Sequence, residues 1–416
     1  MRQVPDKDRR NRLTWDRCLW RWTSILGCDT LADQGGWKSG RIASLVLLVG
    51  LLAGLAFRFR MFLMNRSLWL DPAMLALSVV NKGYGELFGQ LELRQSAPVG
   101  FLLVSKLVGS LFGYKDLSLT VVPFLFGIAS LILFLRLSCR MLGITAAPLA
   151  FLPFAACSTA VLYSGEFKQY SGDLFFSVLL LLVAHNAIVR RLDGRSILAF
   201  VCAGLVGPWF SHTAILVAAG TGMALIVHAR ARERRAVVPL LMAGTVVVGH
   251  FLALYLLQMR PTASPVLFTT HAKGFAPLPV PGSGFLHWWW QTILGFISHP
   301  LGFGWWRGLP LIGMGVGAIA SLFSPNRRTT GMLLLFPLVV LAAVSTAHFY
   351  PIHTGGYPTK ARFVLFAAPF GFLLIAVGLD ALSRRDPRPA LASAILACLL
   401  AWLPFDSMIR WPRFRR

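Results

Sequence analysis

Long apolar runs recur through the chain at 42–57, 117–135, 175–189, 236–257 and 331–347, each able to cross a hydrocarbon layer or nearly so. In lipid no backbone amide can be left unpaired, so runs of this kind must be helices. Only 13% of the residues are charged, 56% are hydrophobic, and the mean hydropathy is +0.66. The expected fold is therefore an all-α integral membrane protein, with about 11 transmembrane helices and short interfacial helices in its outer loops. The longest polar intervals are the first 40 residues, 58–97 and 260–307, which leave no room for a separate soluble domain.

A net charge of +24 does not point to nucleic acid here, because the basic residues gather at the ends of apolar runs. Arg9, Arg10 and Arg12, Arg190 and Arg191, the arginines of 230–235, Arg327 and Arg328, and Arg384 and Arg385 read as cytoplasmic topology signals facing anionic lipid. Residues 1–41 then form a cytoplasmic basic tail. The first run is a retained anchor and not a cleaved signal, since it begins after about 40 mostly polar residues. Run 42–57 exits, 117–135 returns, 142–163 exits again and 175–189 returns, so that Asp71, Glu166 and Asp173 share one outer face. The segments 197–210 and 213–228 form a short hairpin with His212 at its outer tip. This organisation gives a membrane module over 42–258, with its first outer loop at 58–97. An outer loop at 259–307 follows, with an interfacial aromatic helix around Trp288, Trp289 and Trp290, and C-terminal membrane helices occupy 308–416. The run 98–113 is short, and fits a partial or tilted helix on the outer side. The six cysteines form no CxxC pair and support neither a disulfide framework nor a zinc site.

Carboxylates are expensive at the edge of such a domain and read as functional by default. Asp71 lies in Ser67-Leu68-Trp69-Leu70-Asp71-Pro72. Asp before Pro is also a good helix start, with Asp as N-cap and Pro at the first helical position, and capping and catalysis are compatible. Glu166, Tyr170 and Asp173 are spaced so that a helix would put them on one face, with Lys168 pointing elsewhere; a solvated turn is the alternative. Arg58 and Arg60 sit at the outer end of the first run, against the positive-inside trend. That placement suits a lipid phosphate, or simple snorkelling. His212, His271, His287, His299, His348 and His353 map to the outer side or near it without metal-ligand spacing, so a divalent metal is open but unsupported.

These segments resemble a family. Ser67–Asp71, Gln95-Ser96-Ala97-Pro98, Leu111-Phe112-Gly113, Tyr163–Asp173, Ser211-His212 and Arg362 ahead of 363–369 are together similar to bacterial GT-C glycosyltransferases, among them the protein O-mannosyltransferases and the aminoarabinose transferases of lipid A. The resemblance implies a many-span fold in the inner, cytoplasmic membrane of a bacterium, with the active site on the periplasmic side. It also implies a polyprenyl-phosphate-linked sugar donor and a lipid, glycan or protein acceptor. It puts the catalytic acid on Asp71. Many relatives carry a second acid where Pro72 stands here, which leaves Asp71 as the single base. Gln95, Glu166, Lys168, Tyr170, Asp173 and His212 are the expected substrate contacts, and Arg58, Arg60 and Arg362 the groups for the donor phosphate. In some relatives the second acidic loop holds a metal. Two other classes stay open. One is an O-antigen polymerase or ligase working through the Arg and His residues of 260–307. The other is a transporter or flippase, for which inverted repeats or mid-span polar residues would be expected and neither is evident.

Overall fold

Helices make up the architecture, with no strand among the described residues. The structure is a computed structural model that describes residues 37–260, 271–278, 284–304, 306–324, 327–354, 360–383 and 396–402, and the single positions 280, 282, 405 and 406. Most of the basic tail, Arg384 and Arg385, and the basic residues of 410–416 lie outside the described residues.

Among the described residues, seven helices are long and apolar enough to cross a membrane. They fall in α1 (Trp37–Leu63), α4 (Asp116–Leu142), α7 (Tyr170–Arg190), α9 (Ala214–Arg232), α10 (Val237–Leu254), α13 (Arg328–Thr346) and α14 (Ala368–Ser383). Three shorter apolar helices accompany them: α3 (Val99–Phe112), α8 (Gly194–Phe210) and α12 (Gly308–Phe323). The remainder are α2 (Asp71–Asn81), α5 (Ala147–Ala155), α6 (Ser158–Tyr163) and α11 (Phe285–Ser298). The strict length count is lower than the expected crossings because some apolar segments are short, one is broken, and the last is only partly described. α3 has 14 residues, about 21 Å of rise against a core of about 30 Å.

The break falls in the run 142–163, expected to be one continuous crossing. It forms α5 and α6 instead, separated at Ala156–Cys157. Pro148 and Pro153 both lie in this run: Pro148 suits the first turn of α5, and Pro153, inside it, removes a donor from the helical ladder near the break. Arg58 meets one of the carbonyls at the break. Its guanidinium is fully buried and donates to the carbonyls of Gly54, Ala155 and Gly127 at 3.0, 3.3 and 3.1 Å. The Cys157 thiol in turn donates to the carbonyl of Pro300 at 3.1 Å. Within the expected outer loop, the segment after α11 thus turns inward and buries Leu301 and Phe303 in the core.

α14 is the central post. It is buried on nearly all sides, with Phe370, Phe372 and Leu373 inaccessible, as befits a helix apolar all round. α12 crosses it at very short range: a Cβ added to Gly317 would run into the Leu374 carbonyl, and one on Gly378 into that of Gly313. Only small residues allow two helices in lipid to approach so far. A 3-10 segment, Ala361–Ala367, leads into α14 and carries Arg362 at its mouth.

A second, smaller core anchors the first outer loop. Leu75 and Val79 of α2, Leu87, Leu91, Phe101 and Leu102 of α3, and Phe167 pack together. Phe167 stacks on Phe101 with centroids 5.5 Å apart. The segment 164–169 is thereby held over the helix that carries Asp71.

Candidate active site at the mouth of the central helix

Asp71 opens α2 but does not cap it. The cap position is Leu70, which makes no side-chain cap bond and has φ 43°. That region is costly for a leucine and tolerated where surrounding structure imposes it. The Asp71 carboxylate instead meets Arg362, with Oδ2 2.7 Å from a terminal guanidinium nitrogen, both side chains partly exposed. The expectation that Asp71 caps the helix is thus corrected, because its oxygen faces across to the mouth of α14 and not along its own backbone.

Arg362 is held on three sides. Its guanidinium carbon lies 5.7 Å from the Tyr170 ring centroid and 5.2 Å from that of Phe363, a favourable cation–π arrangement. It is also hydrogen-bonded to the Tyr163 side chain. Its Nε is buried and has no acceptor among the described residues. The two tyrosine rings brace each other edge to face at 4.9 Å, and the Ser171 hydroxyl donates to the Tyr163 carbonyl at 2.6 Å.

Lys168 completes the cluster. Its Nζ donates to Gln95 Oε1 at 2.8 Å, and Gln95 in turn reaches Met74 of α2. Burial pushes the Lys168 ammonium down to about 8, against the pull of the Asp71 carboxylate and with added repulsion from Arg362. Lys168 faces the site because 164–169 is not helical; α7 begins only at Tyr170. Gly165 explains the shape of this segment. A Cβ there would lie 3.1 Å from the Met61 carbonyl oxygen, so the chain passes tightly against the end of α1. The expected common face of Glu166, Tyr170 and Asp173 therefore does not form.

Asp173 lies deeper. Its carboxylate takes hydrogen bonds from Ser211 and Thr213, while Oδ1 is buried without a partner. His212 is between those two residues; its Nε2 is buried and unpartnered, and burial pushes the imidazole down to about 4. These groups join α7 to the α8–α9 turn and are not brought against Asp71. Arg58 is also removed from the site, its guanidinium being committed to backbone carbonyls in the core. Arg60 is exposed on the last turn of α1. Glu166 is half-buried in the bend, close enough to Lys168 to favour its charged form.

A histidine pair joins the cluster without any signal in the spacing. His271 Nδ1 and His353 Nε2 are 3.0 Å apart, and both rings pack on Phe363, at 4.9 and 5.5 Å. Burial lowers both, and repulsion from nearby Arg362 adds to it; in His353, brought to about 4, repulsion from His271 ranks ahead of that from Arg362. The donor set at Asp71 does not suit a divalent cation. Its carboxylate faces an arginine, the residue after it is Pro72, and no three His, Cys, Asp or Glu side chains gather among the described residues.

No protein-family model matches the chain, and no curated protein sequence matches it. Solved structures do. ArnT from Cupriavidus metallidurans, crystallised with undecaprenyl phosphate, superposes with a TM-score of 0.55 at 13% identity, over 87% of this chain and 76% of that one. The chain has the GT-C fold. The Archaeoglobus fulgidus oligosaccharyltransferase AglB, solved with an inhibitory peptide and a dolichol-phosphate, matches with a TM-score of 0.52 at 14% identity. That match covers 90% of this chain and 56% of AglB. The protein is thus a multi-pass membrane protein built on the GT-C plan.

Proposed function

We propose that this GT-C protein transfers a glycosyl unit from a polyprenyl-phosphate-linked donor to an acceptor hydroxyl at the outer face of the membrane, with Asp71 as general base. The observation that carries this reading is the Asp71–Arg362 pair at the mouth of α14, with Lys168 beside it. A prenyl tail is insoluble, so its sugar-phosphate must be met where helices end at the bilayer surface. The base and two cations stand at such an end. The named ligands of ArnT and AglB, undecaprenyl phosphate and dolichol-phosphate, belong to the same chemical class.

The pairing suggests an order of events. Before the donor arrives, Arg362 neutralises Asp71. A donor phosphate competes for that guanidinium, whose buried Nε still has an acceptor to gain, and Arg grips phosphate in a planar fork. Asp71 is then released to take the proton of the acceptor hydroxyl. The acceptor oxygen forms its bond to the anomeric carbon from the face opposite the phosphate, which inverts that centre. The bond between that carbon and the phosphate oxygen breaks, and its electron pair stays on the phosphate. Arg362 and Lys168 stabilise the charge that develops there.

Lys168 gives a pH test. Its ordinary range lies well above neutrality, and burial brings it to about 8. As pH rises through that value the ammonium loses its proton and the departing phosphate loses a counter-charge, so transfer should fall on the alkaline side. Lys168→Arg keeps the charge there and should abolish that limb. An unchanged alkaline limb in the variant would assign it to another group. Orientation is tested by cysteine labelling. In a chain freed of native cysteines, Ser67→Cys should react with a membrane-impermeant thiol reagent in intact spheroplasts, and Ala231→Cys should not. The reverse pattern would place the site on the cytoplasmic face.

A further inference from the structure

The end of the bundle remote from Asp71 carries a second polar feature with no part in the reaction. α7 runs 21 residues from Tyr170 to Arg190, about 31 Å along its axis, so the α7–α8 and α9–α10 turns meet on the opposite side. Between residues 190 and 235 there are seven arginines against two carboxylates. Both carboxylates are committed to backbone amides: Asp193 accepts from Ser196 N at 2.8 Å as the cap of α8, and Glu233 accepts from Leu192 N at 3.2 Å, tying the two turns together. Where they meet is a pocket of about 650 Å³. Its polar lining is Arg232, Glu233, Arg234 and Arg235, and its apolar lining includes Leu192, Ile197 and Pro239. None of the three arginines makes a hydrogen bond or salt bridge among the described residues.

We propose that this pocket binds the phosphate headgroup of an anionic phospholipid from the adjoining leaflet, with Arg232, Arg234 and Arg235 holding the phosphate and Leu192, Ile197 and Pro239 lying along the glycerol and first methylenes. Three guanidinium groups against one carboxylate, which is itself bonded to the Leu192 amide, leave an excess of positive charge that attracts an anion. The apolar wall decides between sources. It lies at the ends of membrane helices, where a lipid presents a phosphate and hydrocarbon in one molecule, whereas a free phosphate has nothing to place against Ile197 and Pro239. Basic pockets between helix ends are suited to such headgroups, and Glu233 is turned to Leu192, which leaves the cations available.

The test uses the full-length protein in a neutral detergent. Phosphatidylglycerol, phosphatidylcholine or inorganic phosphate is added at equal concentration, and retained lipid is read by native mass spectrometry beside the melting temperature. Phosphatidylglycerol should be retained and raise the melting temperature; phosphatidylcholine and inorganic phosphate should do neither. R232K/R234K/R235K keeps every charge, and therefore the topology signal, but loses the planar forks; it should bind phosphatidylglycerol at least tenfold more weakly. Ile197→Trp fills the pocket without touching charge and should also abolish retention, while R190K/R191K, outside the lining, should retain lipid as the parent does. Equal stabilisation by inorganic phosphate would make this a soluble-anion site. Undiminished lipid retention in both pocket variants would reduce the cluster to nonspecific surface attraction. Either result overturns the proposal.

Discussion

Asp71→Asn should leave a folded protein that binds polyprenyl phosphate and transfers almost no sugar. Loss of a general base costs about 10²–10⁴-fold in rate, and asparagine keeps the size of the side chain and an oxygen that can still accept from Arg362. The variant removes the charge that competes for the guanidinium, so affinity for a polyprenyl phosphate should be unchanged or higher while turnover collapses. That split separates a base from a structural ion pair. If Asp71 served only to hold Arg362 in place, its removal would lower donor affinity and melting temperature together and leave the rate of bound donor largely intact. Equilibrium binding of the lipid phosphate and single-turnover transfer, measured on the same preparation, decide the matter. Near-normal transfer would remove Asp71 from the mechanism.

Arg362→Gln is the second large effect, and its signature is different. The side chain touches the Asp71 carboxylate, Tyr163 and the face of Tyr170, so in the proposed mechanism its removal withdraws the main positive charge from the departing phosphate. Losing one such preorganised donor costs about 10²–10³-fold in kcat, and affinity for the polyprenyl phosphate should fall as well, by tenfold or more for a charge-assisted contact of about 1.5–3 kcal/mol. Arg362→Lys should recover part of the affinity and little of the rate, because a point charge replaces a planar fork. A variant with normal kcat and normal donor affinity would place the phosphate elsewhere.

The many-helix fold, and most of the polar residues that gather around Asp71, are legible in the sequence for physical reasons. Apolar runs with basic ends can only be membrane helices, and Asp71, Gln95, Lys168, Tyr170 and Arg362 are polar residues placed where such runs stop. What escapes is whatever depends on depth or on tertiary approach. Arg58 looks like an outer-face arginine until the α5–α6 break supplies a carbonyl to bury it, although Pro153 is a readable sign of that break. The helical face through Glu166, Tyr170 and Asp173 assumes a helix that Gly165, pressed on Met61, does not allow. Lys168 therefore replaces Glu166 as the residue facing the site. His271 and His353 are 82 positions apart, and no local spacing announces their meeting.

The burial of Arg58 has a consequence for how the chain is built. Helix α1 emerges from the ribosome before α4 and α5 exist, and alone it offers Arg58 only its own Gly54 carbonyl. A guanidinium in the apolar layer costs about 2.5–3.5 kcal/mol even on the mildest scale, so the young helix is best placed with Arg58 drawn up to the headgroups. The Gly127 and Ala155 carbonyls that let it sink arrive only with the later helices. Helix α1, inserted before α4 and α5, therefore reaches its final depth only after them, and Met61, which Gly165 rests against, descends with it. Maturation of the candidate site is tied in this way to the moment the helices close around the buried Arg58 guanidinium.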